Sequence, residues 1–516
     1  MSDVGEFVDL SGIPPSSSRE IAMRKAFKEQ PTFDCPAPEH VLLNLNCRDE
    51  IVPILRGLQH IYSDPKVRYS VLSLVGKDVN RNSSKKLGRT GLDYWEITVL
   101  AAVRLGCDLD YDKLQNLAEE HRTLRLMMGI GNWSDPREKK FDWRTLRDNL
   151  CLLRPETLHK INEAIVAVGH QLLPDAIKQV RCDTFVVQTN IHYPTDSTLI
   201  GDGLRKVLAL SAELAREYGI TGWRQHAHWY KGVRAQVRMI GRAARSKSRT
   251  KETRLQQEYR KLLVTAKELL ERANLLLASV AVKKNLPLGG LLSVAKHQEL
   301  KHYVELTQKV CNNARRRVLE GEVISNAEKI FSIFEPHTEL IKRDKRPNPL
   351  EFGHRVLVIE DAAGFVCHYE VLSNGVQDVD VVVPVMKKLQ KRFGNKIERA
   401  SFDRGFHSPE NQKDLADLVL HPCLAAKGSE QGRVQQEEGS DEFRESRRRH
   451  PGVESAIGAL QSGNGQERCR DRSKVGYERY VGLGILGRNL HVLGKLLIAQ
   501  EDAKSQAGKS QRKKAA

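Results

Sequence analysis

Three acids stand where a carboxylate needs a reason. Asp183 interrupts the apolar stretch QVRCDTFVVQT (179–189), Asp403 closes IERASFD (397–403), and Glu454 opens VESAIGAL (453–460). A bare carboxylate inside an apolar strand costs free energy unless a positive partner meets it. Three such acids gathered in one place repel one another when empty, and a divalent cation removes that cost. Oxygen ligands of this type suit magnesium or manganese. Two such ions about 3.5–4 Å apart can activate a water or hydroxyl and stabilise the leaving oxygen of a phosphodiester. The expected chemistry is therefore metal-dependent phosphoryl transfer. Asp183, Asp403 and Glu454 are its candidate metal ligands and catalytic residues, with two Mg2+ (or Mn2+) ions as cofactor.

Each acid also has a plainer use. Asp183 can bond a turn at a strand edge, Asp403 can cap the turn RGFHSPEN, and Glu454 can favour a helix N-terminus through the macrodipole. Rival acids lie nearby: Glu442 and Glu445 in a polar stretch, and Glu360 with Asp361 at a strand end. For the last pair a turn aspartate beside Gly364 is the better reading. His192, His226, His228 and His407 are candidate ligands, but no His-x₃₋₅-His pair with cysteines accompanies them, so zinc is not expected. His192, His407 and Asn190 neighbour the acids, and Arg404 follows the second one, where it can neutralise a phosphate.

Charge points the same way. Lys plus Arg number 83 against 65 Asp plus Glu, a formal net charge of +18, which suits a polyanionic partner such as nucleic acid. The segment KGVRAQVRMIGRAARSKSRTKETR (231–254) holds nine Lys or Arg and one acid. Arg234, Arg238, Arg242, Arg245 and Arg249 recur at helical spacing and form either a stripe along DNA phosphates or a solvated charged face. Trp223, Trp229 and Tyr230 beside it can stack on a frayed base, although anchoring to a core is the commoner use. Nine scattered cysteines without a CxxC pair read as reduced thiols. No uninterrupted apolar run approaches ~20 residues, and the acidic, polar N-terminus is unlike a signal peptide. A cytoplasmic protein is expected.

The elements that must position the acids follow from periodicity. Residues 1–18 read as a flexible lead, and Ser17 to Glu20 as a capping box starting a helix through Ala26. Up to about 175 the pattern is helical, over 92–106, 111–129 and 142–169, the last broken near Pro155. Residues 179–189 read as a strand. A helical insertion is expected over 198–345, with a coiled-coil seam at Leu255, Tyr259, Leu262, Ala266, Leu269, Ala273 and Leu276. The turn NLPLGG (285–290) and a weaker seam at Tyr303, Thr307, Val310 and Ala314 complete an antiparallel helical hairpin. Then come a hairpin at 354–372, a helix ending at Gly394, a strand at 397–406, helix plus strand over 415–428, an exposed polar loop at 428–450, and helices from 453 and over 477–500. The basic tail 501–516 reads as disordered. This order fits an α/β fold, one mixed sheet flanked by helices.

The phrases RCDTFVVQTNIHYPTDSTLIGDG, ASFDRGFHSPEN and HPGVESAIGALQSGNGQERCRDR resemble the three catalytic blocks of DDE-type insertion-sequence transposases. The likeness is to bacterial elements grouped as "not classified yet" (ISNCY), near the group with a Tyr-Arg-Glu-Lys signature, and it covers roughly 175–500. The family's acids fall on Asp183, Asp403 and Glu454. Where the signature would have Tyr, Arg and Lys, this chain has Arg447, His450 and Gln461. The resemblance implies an RNase H-like catalytic domain over 176–500, interrupted by the insertion and the polar loop, behind an N-terminal helical, DNA-binding domain at 1–175. It implies metal-dependent hydrolysis and strand transfer at the ends of an insertion sequence. The implied partners are double-stranded DNA, both transposon ends and target, and a second copy of the chain in a dimer or larger assembly, nucleoid-associated when bound. A DNA nuclease without strand transfer, and a catalytically inactive DNA-binding protein, are the alternative readings.

Overall fold

A computed structural model describes residues 24–27, 34–81, 91–131, 140–283, 291–342, 349–426 and 439–515; for 282–283, 291–292 and 508–515 it describes the backbone only. The lead at 1–18, the capping box, the turn 285–290 and the start of the polar loop lie outside the described residues, and 24–27 carry no helix. The chain divides into two compact units: residues 172–485, and residues 1–171 together with 486–516.

The second of these units is built from helices α1 (Ile51–Ser63), α2 (Pro65–Val79), α3 (Tyr94–Gly106), α4 (Tyr111–Glu120), α5 (Arg122–Met127), α6 (Trp143–Leu150) and α7 (Pro155–Leu172). Aspartates start four of them: Asp64, Asp93, Asp110 and Asp142 each accept a hydrogen bond from a first-turn amide of α2, α3, α4 and α6. Asp93 and Glu96 close a capping box. α3 is buried almost all round, with Ile97, Val99, Leu100 and Val103 at its centre. Residues 486 onward belong to the last helix of the chain, and its glycines have a packing role. A Cβ on Gly487 would lie 2.4 Å from the Cα of Gly106, and one on Gly494 would lie 1.7 Å from the carbonyl oxygen of Pro53. Only glycine permits so close a backbone approach.

The 172–485 unit is mixed α/β. Its elements are β1 (Gln179–Thr189), α8 (Asp196–Glu217), α9 (His226–Arg245), α10 (Lys251–Lys283), α11 (Leu291–Leu319), β2 (Glu339–Lys342), β3 (Leu350–Asp361), β4 (Val366–Val371), α12 (Asp378–Phe393), β5 (Arg399–Phe402), α13 (Pro409–Ala416), β6 (His421–Leu424), α14 (Asp441–Arg449), α15 (Gly452–Gly463), β7 (Arg468–Cys469) and the start of α16 (Lys474–Ala515). The strands form one sheet ordered β2-β3-β1-β5-β6, with β4 also on β3 and β7 also on β1. β1 runs antiparallel to β3 and parallel to β5, and β5 runs parallel to β6. Central β1 is apolar because both faces are covered. Thr184 Oγ1 reaches Asp378 Oδ1 of α12 at 3.4 Å on one face, and Arg181 meets the start of α15 on the other.

Several expectations need correcting. The insertion is not helical to 345: its helices end at Leu319, and Glu339–Lys342 is strand β2 of the sheet. Nor is it a two-helix hairpin. The α10 seam is buried from Tyr259 to Leu276, but it packs on α8 and α9 as well as α11, giving a four-helix bundle around residues such as Leu204, Val207, Leu214, Val233, Leu262 and Leu300. The described part of the polar loop contains helix α14. It escapes an apolar-pattern reading because only Ser446 is buried; Ser440 caps it and Arg449 Nη2 pairs with Glu445 Oε1 at 2.6 Å. Where a disordered tail was expected after 500, α16 continues to Ala515, and residues 486–500 lie with the N-terminal helices. α16 is long and apolar enough to cross a membrane by length and composition over Lys474–Ala507, and 67% of the apolar 18-residue window within it is buried inside the protein. None of the nine cysteines forms a disulfide.

Candidate functional site

The site is built outward from the register of two parallel strands. Cys182 pairs with Phe402 across β1 and β5. The next residue on each strand is Asp183 and Asp403, and Asp403 keeps an extended backbone, φ −74° and ψ 161°. In-register residues of parallel strands leave the sheet on the same face, about 4.8 Å apart. Each acid thus stands one residue beyond the last paired position, at the carboxyl end of β5. The Asp403 side chain is 55% exposed. Asp183 is half-buried, and its Oδ1 accepts from the Thr184 amide at 2.7 Å. Burial, with Asp183 and Asp378 nearby, pushes the thiol of Cys182 well up, so that residue serves as core.

Glu454 arrives on α15, which packs on β1 and follows α14 after a two-residue elbow, His450 and Pro451. Its side chain is exposed. His450 Nδ1 and Ser401 Oγ are 3.1 Å apart. Burial, then Arg447, lowers the pKa of His450, while Asp403 and Glu454 oppose that shift. Both carboxylates therefore act on one imidazole. Arg447 Nη2 lies 4.0 Å from Asp403 Oδ1, and its Nη1 is shielded from solvent with no hydrogen-bond partner among the described residues. An orphaned guanidinium N–H beside an exposed aspartate is a place for an anionic oxygen.

Among the described residues, no group of three or more His, Cys, Asp or Glu side chains is close enough to hold a metal ion. Asp183 and Asp403 follow a paired position on β1 and β5, and Asp403 and Glu454 both act on His450, but the three do not form a closed ligand cage. The donor set suits a hard cation, since all three are carboxylates. No family model matches this chain, and neither does any curated protein or solved structure.

The other candidates divide. Asp361 is a turn aspartate, as the sequence suggests: its Oδ1 accepts from Ala363 N at 2.9 Å and Phe365 N at 3.0 Å, beside Gly364 at φ +88°. Glu445 is structural, held below the usual carboxylate range by its hydrogen bond from Arg399 and by Arg449; Glu442 is exposed. His407 is buried, 3.3 Å from Gln412 Oε1. His192 Nε2 lies 3.4 Å from Asp202, and His226 Nδ1 lies 3.0 Å from Trp223 O. His228, Asn190 and Arg404 are exposed. Trp223 and Trp229 meet edge to face at 5.8 Å and, with Tyr230, pack against the bundle core.

Of the arginine stripe, Arg234, Arg238, Arg242 and Arg245 lie on α9, opposite buried Val233, Ile240 and Ala243. Arg249 falls beyond the helix, in the link to α10, which corrects the expected single face. All five are exposed and none makes an ion pair among the described residues. Sequence reasoning missed Arg181 and Arg399 altogether. Arg181 had a signal, since period-two alternation puts it on the Asp183 face of β1.

Proposed function

We propose that the protein is a DNA transposase of the DDE type, acting on double-stranded DNA through Asp183, Asp403 and Glu454. The observation that supports this is the β1–β5 register, which pairs Cys182 with Phe402, the residues immediately before Asp183 and Asp403. A mixed sheet with helices on both faces, and adjacent acids on parallel strands, supports the RNase H-like reading of the catalytic domain. Asp183, Asp403 and Glu454 would hold the Mg2+ or Mn2+ ions, which when bound supply an activated water or hydroxyl and charge neutralisation at the leaving oxygen. The chain's own groups bind and orient. Arg447 offers its unpartnered N–H to a non-bridging phosphate oxygen near Asp403. The exposed α9 arginines track the duplex backbone without reading sequence. The reaction is hydrolysis that frees a 3′-hydroxyl at the element end, followed by attack of that hydroxyl on target DNA. Both are in-line displacements at phosphorus, so one set of carboxylates serves both, in a dimer or larger assembly holding paired ends.

The test uses purified full chain, a duplex carrying the repeat that flanks its gene, a supercoiled plasmid target, and Mg2+ or Mn2+. Nicking at the repeat and a joined plasmid product are expected, both lost in Asp183→Asn. Nicking without joining makes the protein a nuclease, and end binding without cleavage makes it a DNA-binding protein. Full activity in Asp183→Asn removes the site assignment.

A further inference from the structure

Arg181 precedes Asp183 by two residues on the same face of β1, and the elbow between α14 and α15 rests on it. Arg181 Nη1 donates to Arg449 O at 3.2 Å, and Nη2 donates to Asp361 O at 3.1 Å. Nη2 also stands 2.8 Å from Glu360 Oε2, an ionic contact whose angles fall short of a hydrogen bond, with the Glu360 side chain only 4% exposed. A Cβ on Gly452 would lie 1.8 Å from Nη1 and 2.6 Å from Cζ. The first residue of α15 therefore packs bare backbone on a guanidinium already tied to two carbonyls and a buried carboxylate. An arginine tip usually swings aside at little cost, but this one is held.

The surrounding contacts act on the same joint. Arg449 Nη1 donates to Gln179 Oε1 at 2.9 Å, and Arg399 Nη1 donates to Glu445 Oε2 at 2.9 Å. His450 meets Ser401. Each ties the elbow to β1 or β5, the strands that lead to Asp183 and Asp403. Glu454 follows Gly452 by two residues. We infer that Arg181 is a positioning residue: by seating Gly452 it fixes where Glu454 stands relative to Asp183 and Asp403. This rests on the reading of those three acids proposed above. A misplacement of about 1 Å at a reacting centre costs on the order of 10²-fold in rate.

The experiment follows full-length protein nicking supercoiled plasmid with Mn2+. Mn2+ affinity is measured in parallel by paramagnetic resonance of the free ion, together with plasmid affinity and melting temperature. Arg181→Met and Gly452→Ala each lower the nicking rate roughly 10- to 100-fold. Each also weakens Mn2+ binding, while plasmid affinity stays at the wild-type value. Removing the guanidinium removes the three atoms nearest an added methyl, so Arg181→Ala combined with Gly452→Ala is no worse than the poorer of Arg181→Ala and Gly452→Ala measured alone, whereas independent losses would multiply. Wild-type nicking in Arg181→Met, or multiplying losses in the double variant, overturns the positioning role while an inactive Asp183→Asn keeps the three-acid reading. Wild-type nicking in Asp183→Asn, or a wild-type chain that neither nicks nor binds Mn2+, removes that reading and the positioning role with it. Should Gly452→Ala fail to fold, the Mn2+ titration of Arg181→Met decides alone.

Discussion

Helices α9 and α14 are both rich in arginine, and they spend it in opposite ways. On α9, Arg234, Arg238, Arg242 and Arg245 are exposed and have no ionic partner among the described residues. On α14, Arg447 faces Asp403, Arg449 binds Glu445 and Gln179, and Arg444 lies 3.8 Å from Asp441. The first set keeps its charge available at long range and is screened by salt. In the second, Arg449 is tied to Glu445 and to Gln179 of β1, while Arg447 stands beside Asp403 with one N–H still unpartnered. Counting basic residues cannot tell these apart; the location of the nearest carboxylate can.

The largest effect that sharpens this comparison comes from the acids the α14 side serves. Asp183→Asn and Asp403→Asn each lower plasmid nicking by on the order of 10³-fold or more, with retained plasmid binding in a gel-shift assay. Next is the stripe. Replacing Arg234, Arg238, Arg242 and Arg245 together by Ala reduces the slope of log affinity against log salt by about 3.6, and leaves the melting temperature unchanged. An unchanged slope means the α9 arginines are a solvated face, and the contrast disappears. A smaller effect comes from Glu445→Gln, which releases Arg399 and Arg449. Nicking falls roughly tenfold while the salt slope stays as in the wild type. The smallest lies outside both helices. Burial, then Lys495 and Arg488, lowers the pKa of His491 from 6.5 to about 4. The unfolded chain therefore takes up the proton first as pH falls. The contribution of neutral His491 to stability is complete above about pH 6.5 and drains toward pH 4. Melting temperature against pH in His491→Gln flattens over that window, while the salt slope of DNA binding does not move.

Local signals were legible. The β-branched run at 179–189 is β1 as expected, the Asp361–Gly364 turn joins β3 to β4, and Gly394 ends α12 with φ +63°. What stayed hidden depended on distant partners. That Cys182 pairs with Phe402 is a fact of register, which no local pattern encodes for strands so far apart in sequence. Helix α14 lacks an apolar stripe and is held by ion pairs and a serine cap. Gly487 and Gly494 look like helix breakers until Gly106 and Pro53 are seen against them. Glu454 was legible as a helix-start acid, yet its placement depends on Arg181, and nothing local marks that arginine as the seat of a helix some 270 residues later.

Arg317 at the end of α11 reaches Asp196, the first residue of α8, with Nη2 to Oδ2 at 2.6 Å. The polypeptide thus departs for the bundle and comes back from it through a single doorway. A module whose two ends meet makes little demand on its host, so it behaves as a cassette. A short linker in its place should still let the sheet assemble, and the same doorway should accept a bundle of another origin.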